Sequence, residues 1–339
     1  MDSLSQVLLG ATLAEVTLGK KIGRSALIVG GALGTLPDLD VLVQYTDAVA
    51  SFTYHRSWSH SIFVLSLVSL PIAWILDKVY RARFAKHNRA PSYRQWLLCT
   101  WLVLFTHPIL DGFTIYGTQL LWPIQTKPIA WGSIFIIDPL YTFPLMIAFI
   151  VAWKSRRHAP KAATLALIIS TTYIGVTLLS QQHARTVAEK SLSKQSLSSE
   201  NLLIAPSPFS LLWRIVSLDD EYYYEGFYSV FDKDHDITFN SYPSNRDIIE
   251  SHYEKWSVAR LDWFTEGFIS ATPTNDRLLI NDLRMGMESS YVFRFDVGQI
   301  DDTESKTLSE LMPLQLNTKR MKALVQRVTD ENVAVPIDE

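Results

Sequence analysis

Four charge-free runs constrain this chain more than any other feature. Residues 61–76, 95–110, 139–153 and 162–180 are apolar and contain no Asp, Glu, Lys or Arg. A bilayer-crossing helix needs about 17–25 such residues. Backbone polar groups find no water in lipid, so runs of this kind must close their own hydrogen bonds as helices. The Gly-rich stretch 25–37 is too short to cross alone and reads as a half-helix buried against protein. The expected fold is therefore an α-helical polytopic membrane domain of about four spanning helices plus short or half-helices.

Beyond residue 182 the composition changes. Residues 183–205 are taken as a linker, whose Ser- and Lys-rich part, 185–200, reads as a polar helix or linker. Residues 206–325 alternate aromatic and β-branched runs with turn residues, which predicts a soluble α+β, strand-rich domain. Within it, "LLWRIVSL" and "EYYYEGFYSVF" flank "DDE" as a hairpin, and residues 246–263 show helical spacing. Residues 326–339 carry no such pattern and are expected to be a disordered tail. A net charge of -3 over 339 residues offers nothing for nucleic acid. The single cysteine, Cys99, rules out an intrachain disulfide and a Cys-based zinc site. Asp2 stands where a signal peptide would be basic, so none is expected.

The basic residues orient the helices. Lys20, Lys21 and Arg24 form one cluster, loop 77–94 a second and loop 154–161 a third, whereas residues 112–133 hold only Lys127. The positive-inside rule puts the three clusters in the cytoplasm. Asp38 to His60, His107 to Asp138 and the C-terminal domain then fall on the extracytoplasmic side. His87, His158 and His183 lie in basic or linker segments and read as solvated.

That topology gathers seven ionisable residues at one membrane face. His107 and Asp111 are four residues apart, which on a helix gives one face. Asp38 and Asp40 follow Pro37 and converge if the chain turns there. With His55 and His60 they form a donor set of imidazoles and carboxylates. Such a set suits zinc foremost, or manganese or iron, as one or two ions, and because it exceeds one tetrahedral site it favours a two-metal centre. Ionisable groups at membrane depth are costly and mark function by default. Asp138 opens "DPLYT" and is either a catalytic or orienting carboxylate or a helix cap. Glu15, in an apolar N-terminal helix, is a ligand, a general base or the ion-pair partner of a lysine.

The stretches "TLPDLDVL", "HRSWSHSI", "THPILDGFTIYGTQLLWPI" and "IDPLYT" together resemble the inner-membrane metal-dependent hydrolases typified by the YdjM and YbcI proteins. That family is also described as LexA-binding and inner-membrane-associated. The resemblance spans roughly residues 1–180 and implies a multi-pass bacterial inner-membrane hydrolase. Its motifs fall on Asp38, Asp40, His55, His60, His107 and Asp111. A looser likeness to zinc-dependent phospholipase C suggests phosphoester hydrolysis of a lipid or lipid-linked substrate. The inferred topology leaves a cytoplasmic repressor only short loops to touch, which argues against that partner. The alternatives are a non-catalytic membrane scaffold with a structural metal, or an ion- or solute-handling membrane protein.

Overall fold

A computed structural model describes residues 1–84, 90–301, 308–314 and 317–335. His87 and the last four residues of the tail lie outside them. The N-terminal half is helical: α1 (Ser3–Ile22), α2 (Ser25–Thr35), α3 (Ala48–Tyr54), α4 (Ile62–Arg83), α5 (Tyr93–Gly112), α6 (Pro139–Lys154) and α7 (Ala159–Lys194). Short 3-10 turns at Pro37–Leu42 and Trp58–His60 join them near one end.

α1 is central and touches α2, α5, α6 and α7. Its seam with α2 is built from small residues. A Cβ on Gly10 would collide with the Gly30 carbonyl, and one on Gly34 with the Gln6 carbonyl. Glycine is what lets the two backbones meet there. α2 has only 11 residues, about 16 Å of helix, and is the expected half-helix. Pro37 then breaks the α-helical ladder, and the chain continues as a 3-10 turn.

Among the described residues, two helices are long and apolar enough to cross a membrane: α4, with 22 residues, and α7, with 36. Of the four expected spans, the other two fall short. α6 is apolar but has 16 residues. α5 has 20, but His107 and Asp111 near its end lower its mean hydropathy. α4 and α7 turn large apolar side chains outward, among them Leu67, Trp74, Ile168 and Leu179.

The C-terminal half holds two four-stranded antiparallel sheets. The first is β1 (Asn201–Pro206), β2 (Leu212–Leu218), β3 (Tyr222–Ser229) and β4 (Asn240–Pro243); β2 and β3 form the hairpin expected around "DDE". Next come α8 (Arg246–Ser251) and α9 (Trp256–Thr265), in the stretch read as helical. The second sheet is β5 (Ile269–Thr274), β6 (Arg277–Asp282), β7 (Arg294–Gln299) and β8 (Glu310–Leu311), followed by α10 (Thr318–Arg327).

Two segments differ from expectation. The predicted linker is largely helix: α7 runs to Lys194, because Ala184, Val187, Ala188 and Leu192 form a stripe that packs on Ile204, Trp213 and Ile215. The tail is not loose up to residue 335. Leu324 and Val328 are buried against Leu212, and Val335 packs on that cluster.

At the far end of α1, the buried Glu15 carboxylate receives Arg156 through two bonds of 2.7 Å. Arg156 also donates to the Gly19 carbonyl, and Arg24 to that of Trp153. The links 20–24 and 154–161 therefore meet at one end of the bundle. Arg156→Ala should strand a buried carboxylate. The expected loss is about 2 kcal/mol, below the ~3–5 kcal/mol of a fully enclosed pair because Arg156 keeps some solvent contact. Thermal unfolding in detergent measures it, and Glu15→Gln added to Arg156→Ala should recover part of the loss.

Candidate metal centre

At the opposite end of α1, four side chains converge. Asp38, His60, His107 and Asp111 each offer one ligand atom, and all four atoms lie within 4.8 Å of one another. Asp38 comes from the 3-10 turn after α2, His60 from the turn before α4, and His107 and Asp111 from one face of α5. His107 Nε2 lies 3.3 Å from His60 Nε2, and each lies 3.3 Å from Asp38 Oδ1. Two ligands at about 2.05 Å from one tetrahedral ion stand about 3.3 Å apart, so these spacings suit a single ion.

Neighbouring groups aim the rings. His107 Nδ1 donates to the Gly34 carbonyl at 2.8 Å. Ser59 Oγ donates to Asp40 Oδ2 at 2.5 Å and lies 3.0 Å from His60 Nδ1, whose N–H it can accept. With both Nδ1 atoms engaged, both Nε2 atoms are left facing the cluster.

Asp111 points most clearly to a cation site. Its Oδ1 accepts from Gln6 Nε2 at 3.1 Å, pairs with the Met1 amino group and lies 3.4 Å from the Arg56 guanidinium. Its Oδ2 is buried, stands 3.2 Å from His60 Nε2 and 3.4 Å from His107 Nε2, and has no assigned hydrogen-bond partner among the described residues. A buried carboxylate oxygen without a donor is costly. A divalent ion among these four atoms would satisfy it, so the residues fit a metal.

The other expected site residues stand elsewhere. Asp40 and Asp38 do not converge, because two positions along a 3-10 turn are about 240° apart. Asp40 instead accepts from His55 Nδ1 at 2.9 Å, the Arg56 backbone at 3.0 Å and Ser59. It lies 3.6 Å from His60 Nδ1, behind the ring. Burial opposes charge on Asp38 and Asp40. Hydrogen bonds from His107 and His60 hold Asp38 well below the usual carboxylate range, and those from His55 lower Asp40. Glu15 belongs to the far end of the bundle, with an arginine as partner. Asp138 caps α6 through the Leu140 N–H at 2.9 Å and also accepts from Tyr173 and Ser210. Neither Glu15 nor Asp138 is among the four.

Sequence reasoning passed over Gln6 and Arg56. Gln6 is a buried amide in an apolar helix, which is itself a signal. Arg56 sits inside the "HRSWSH" motif, holds a positive φ of 60° and is 4% exposed. That strained backbone lets its N–H reach Asp40.

These features describe a helical bundle with two candidate membrane spans and a His/Asp cluster at one end. The family model described as YdjM inner membrane protein matches residues 1–184. That is more than half of the chain, and the protein belongs to this family. No curated protein and no solved structure matches the chain.

Elemental mass spectrometry on protein purified in detergent should find about one equivalent of a divalent metal, by the four-ligand count. His60→Ala and His107→Ala should each abolish it without blocking membrane insertion. Asp40→Asn should keep the site and weaken its affinity about tenfold, through the His60 ring it supports.

Proposed function

We propose that the protein is a membrane-bound, metal-dependent hydrolase, a phosphoesterase acting on a lipid or lipid-linked substrate at the extracytoplasmic face. The observation that carries this reading is the buried, donor-less Asp111 Oδ2 among two imidazole nitrogens and Asp38. Asp38 is the one ligand with a part-exposed side chain, at 22%, so the cluster opens on its side. Water would need a coordination position beyond the four protein ligands, which expansion to five-coordination or release of the part-exposed Asp38 would supply. Zinc is the first candidate for these donors, and a bound divalent ion supplies water activation and charge neutralisation on a phosphoryl oxygen.

The chain's own residues supply the rest. Asp40 accepts the Nδ1 proton of His55, which leaves His55 Nε2 as a proton acceptor beside the cluster. The His55 side chain is 27% exposed, so it can exchange that proton with solvent. Arg56 holds Asp111 from behind and places positive charge near an arriving anion. His60 lies two residues before α4, a candidate span, which sets the cluster near the end of a membrane helix. The basic links 20–24 and 154–161 lie at the other end of the bundle. With those links in the cytoplasm, the cluster and the C-terminal domain face outward.

Zinc- or manganese-loaded protein should hydrolyse p-nitrophenyl phosphate, p-nitrophenyl phosphorylcholine or phosphatidic acid in vesicles. His107→Ala should lose at least about a thousandfold in kcat/KM, on the scale of losing a site's central electrostatic element. Glu15→Gln should retain activity. Metal-loaded protein that cleaves none of the three would reject a phosphoesterase.

A further inference from the structure

Beside the cluster lies a cavity of about 670 Å³, a size typical of ligand sites. Asp40, His55 and Arg56 line it on the cluster side. Arg56 is 4% exposed, stacks over the Tyr116 ring at 4.9 Å, and its Nε has no hydrogen-bond partner among the described residues. Its guanidinium faces Asp111 at 3.4 Å and donates to Thr114, and Arg56 is the one arginine or lysine among the described residues that line the cavity, so its charge favours an anion at this end. The rest of the lining is largely apolar and comes from both halves of the chain. Val43, Tyr45 and Trp58 belong to the links flanking α3, and Phe293 and Leu311 to the second sheet and the segment before β7. Val43 is 49% exposed, Trp58 50% and Leu311 51%, so this apolar rim is open to the outside. Trp58 lies four residues before α4, whose apolar outer face continues from it. Aromatic residues at the end of a span lie at the level of lipid head groups. The cavity thus has a charged end at the cluster, with Arg56, His55 and Asp40, and an apolar mouth beside the end of a candidate span.

We propose that this cavity holds the hydrocarbon chain of a phosphorylated amphiphile whose anionic end faces Arg56 and the cluster. The second sheet, through Phe293 and Leu311, sets which chain fits. The choice of phosphate rests on the hydrolase reading; the chain pocket does not, and binding tests it without turnover. The C-terminal domain is then the specificity element of the site.

Methyl, butyl and hexyl phosphate can be titrated calorimetrically into the full chain, loaded with zinc and held in amphipol, with protein-free amphipol subtracted. A fully buried methylene is worth about fourfold in affinity, so hexyl phosphate should bind at least about tenfold more tightly than methyl phosphate. Phe293→Ala and Leu311→Asp should cut that gain below about threefold, each judged against its own methyl phosphate value. Phe293 packs on the second sheet's core; Leu311 is half exposed, so its variant keeps the test valid if the Phe293 variant misfolds. Equal binding of the three phosphates, or an undiminished gain in Leu311→Asp, overturns the proposal. Repeating the series with zinc chelated separates the two readings. A gain with chain length that survives chelation supports the pocket even if phosphate binding shows no zinc dependence, which would count against the hydrolase.

Discussion

Asp111 is the group around which this end of the molecule is organised. Its side chain has no solvent exposure, in a bundle of apolar helices. A charge in such a place must be neutralised where it stands. The partners come from two directions, Met1 and Gln6 from the start of α1 and Arg56 from the link after α3, while His60 and His107 stand beside the other oxygen. One carboxylate thereby ties α1 to α5 and both to the link between α2 and α4. That α1 lies close enough to take part follows from its packing. Its glycine seam with α2 brings the Gly34 carbonyl within reach of His107, so the same close approach that packs two helices also orients a ligand ring.

The two halves of the chain are not independent units joined by a tether. Phe52 of α3 packs among Phe264, Phe293 and Phe295 of the second sheet and its helix, and Tyr116 joins the same cluster. Arg260 donates to Thr53, and Ser210 donates to Asp138. The segment 40–58, which carries Asp40, His55 and Arg56, is therefore held between the helical half and the β-rich half. The lining of the cavity beside the cluster is accordingly drawn from both halves of the chain. The far end of α1 does different work: Glu15 and Arg156 clamp the links together there and contribute no group to the cluster.

Much of this was written in local sequence. The charge-free runs, the half-helix at 25–37 and the strand-rich C-terminal half follow from hydrophobic periodicity and glycine content, which depend only on neighbours along the chain. The pair His107 and Asp111 was legible for the same reason, because i and i+4 share a face on any helix. Asp38 and His60 were singled out as ionisable residues next to apolar runs. What sequence could not separate was ligand from support. Asp38 and Asp40 are the same residue type two positions apart, and only the 3-10 geometry after Pro37 sends one to the cluster and the other behind the His60 ring.

Long-range partners decided the remainder. Glu15 and Asp138 looked chemically poised because a carboxylate in apolar sequence demands a partner, but the partner's identity is a property of the fold: Arg156 for one, a helix N-terminus with Tyr173 and Ser210 for the other. The stretch 185–200 read as polar helix or linker because polar residues fill it; the sheet beneath makes the Ala, Val and Leu stripe of 184–192 sufficient for helix. The sequence by itself determined which segments are apolar, which are helical or extended, and which residue types can bind a metal. The tertiary structure decided which four of them meet, because convergence across more than seventy residues depends on how helices pack and turns point, and neither is encoded in any one window of the chain.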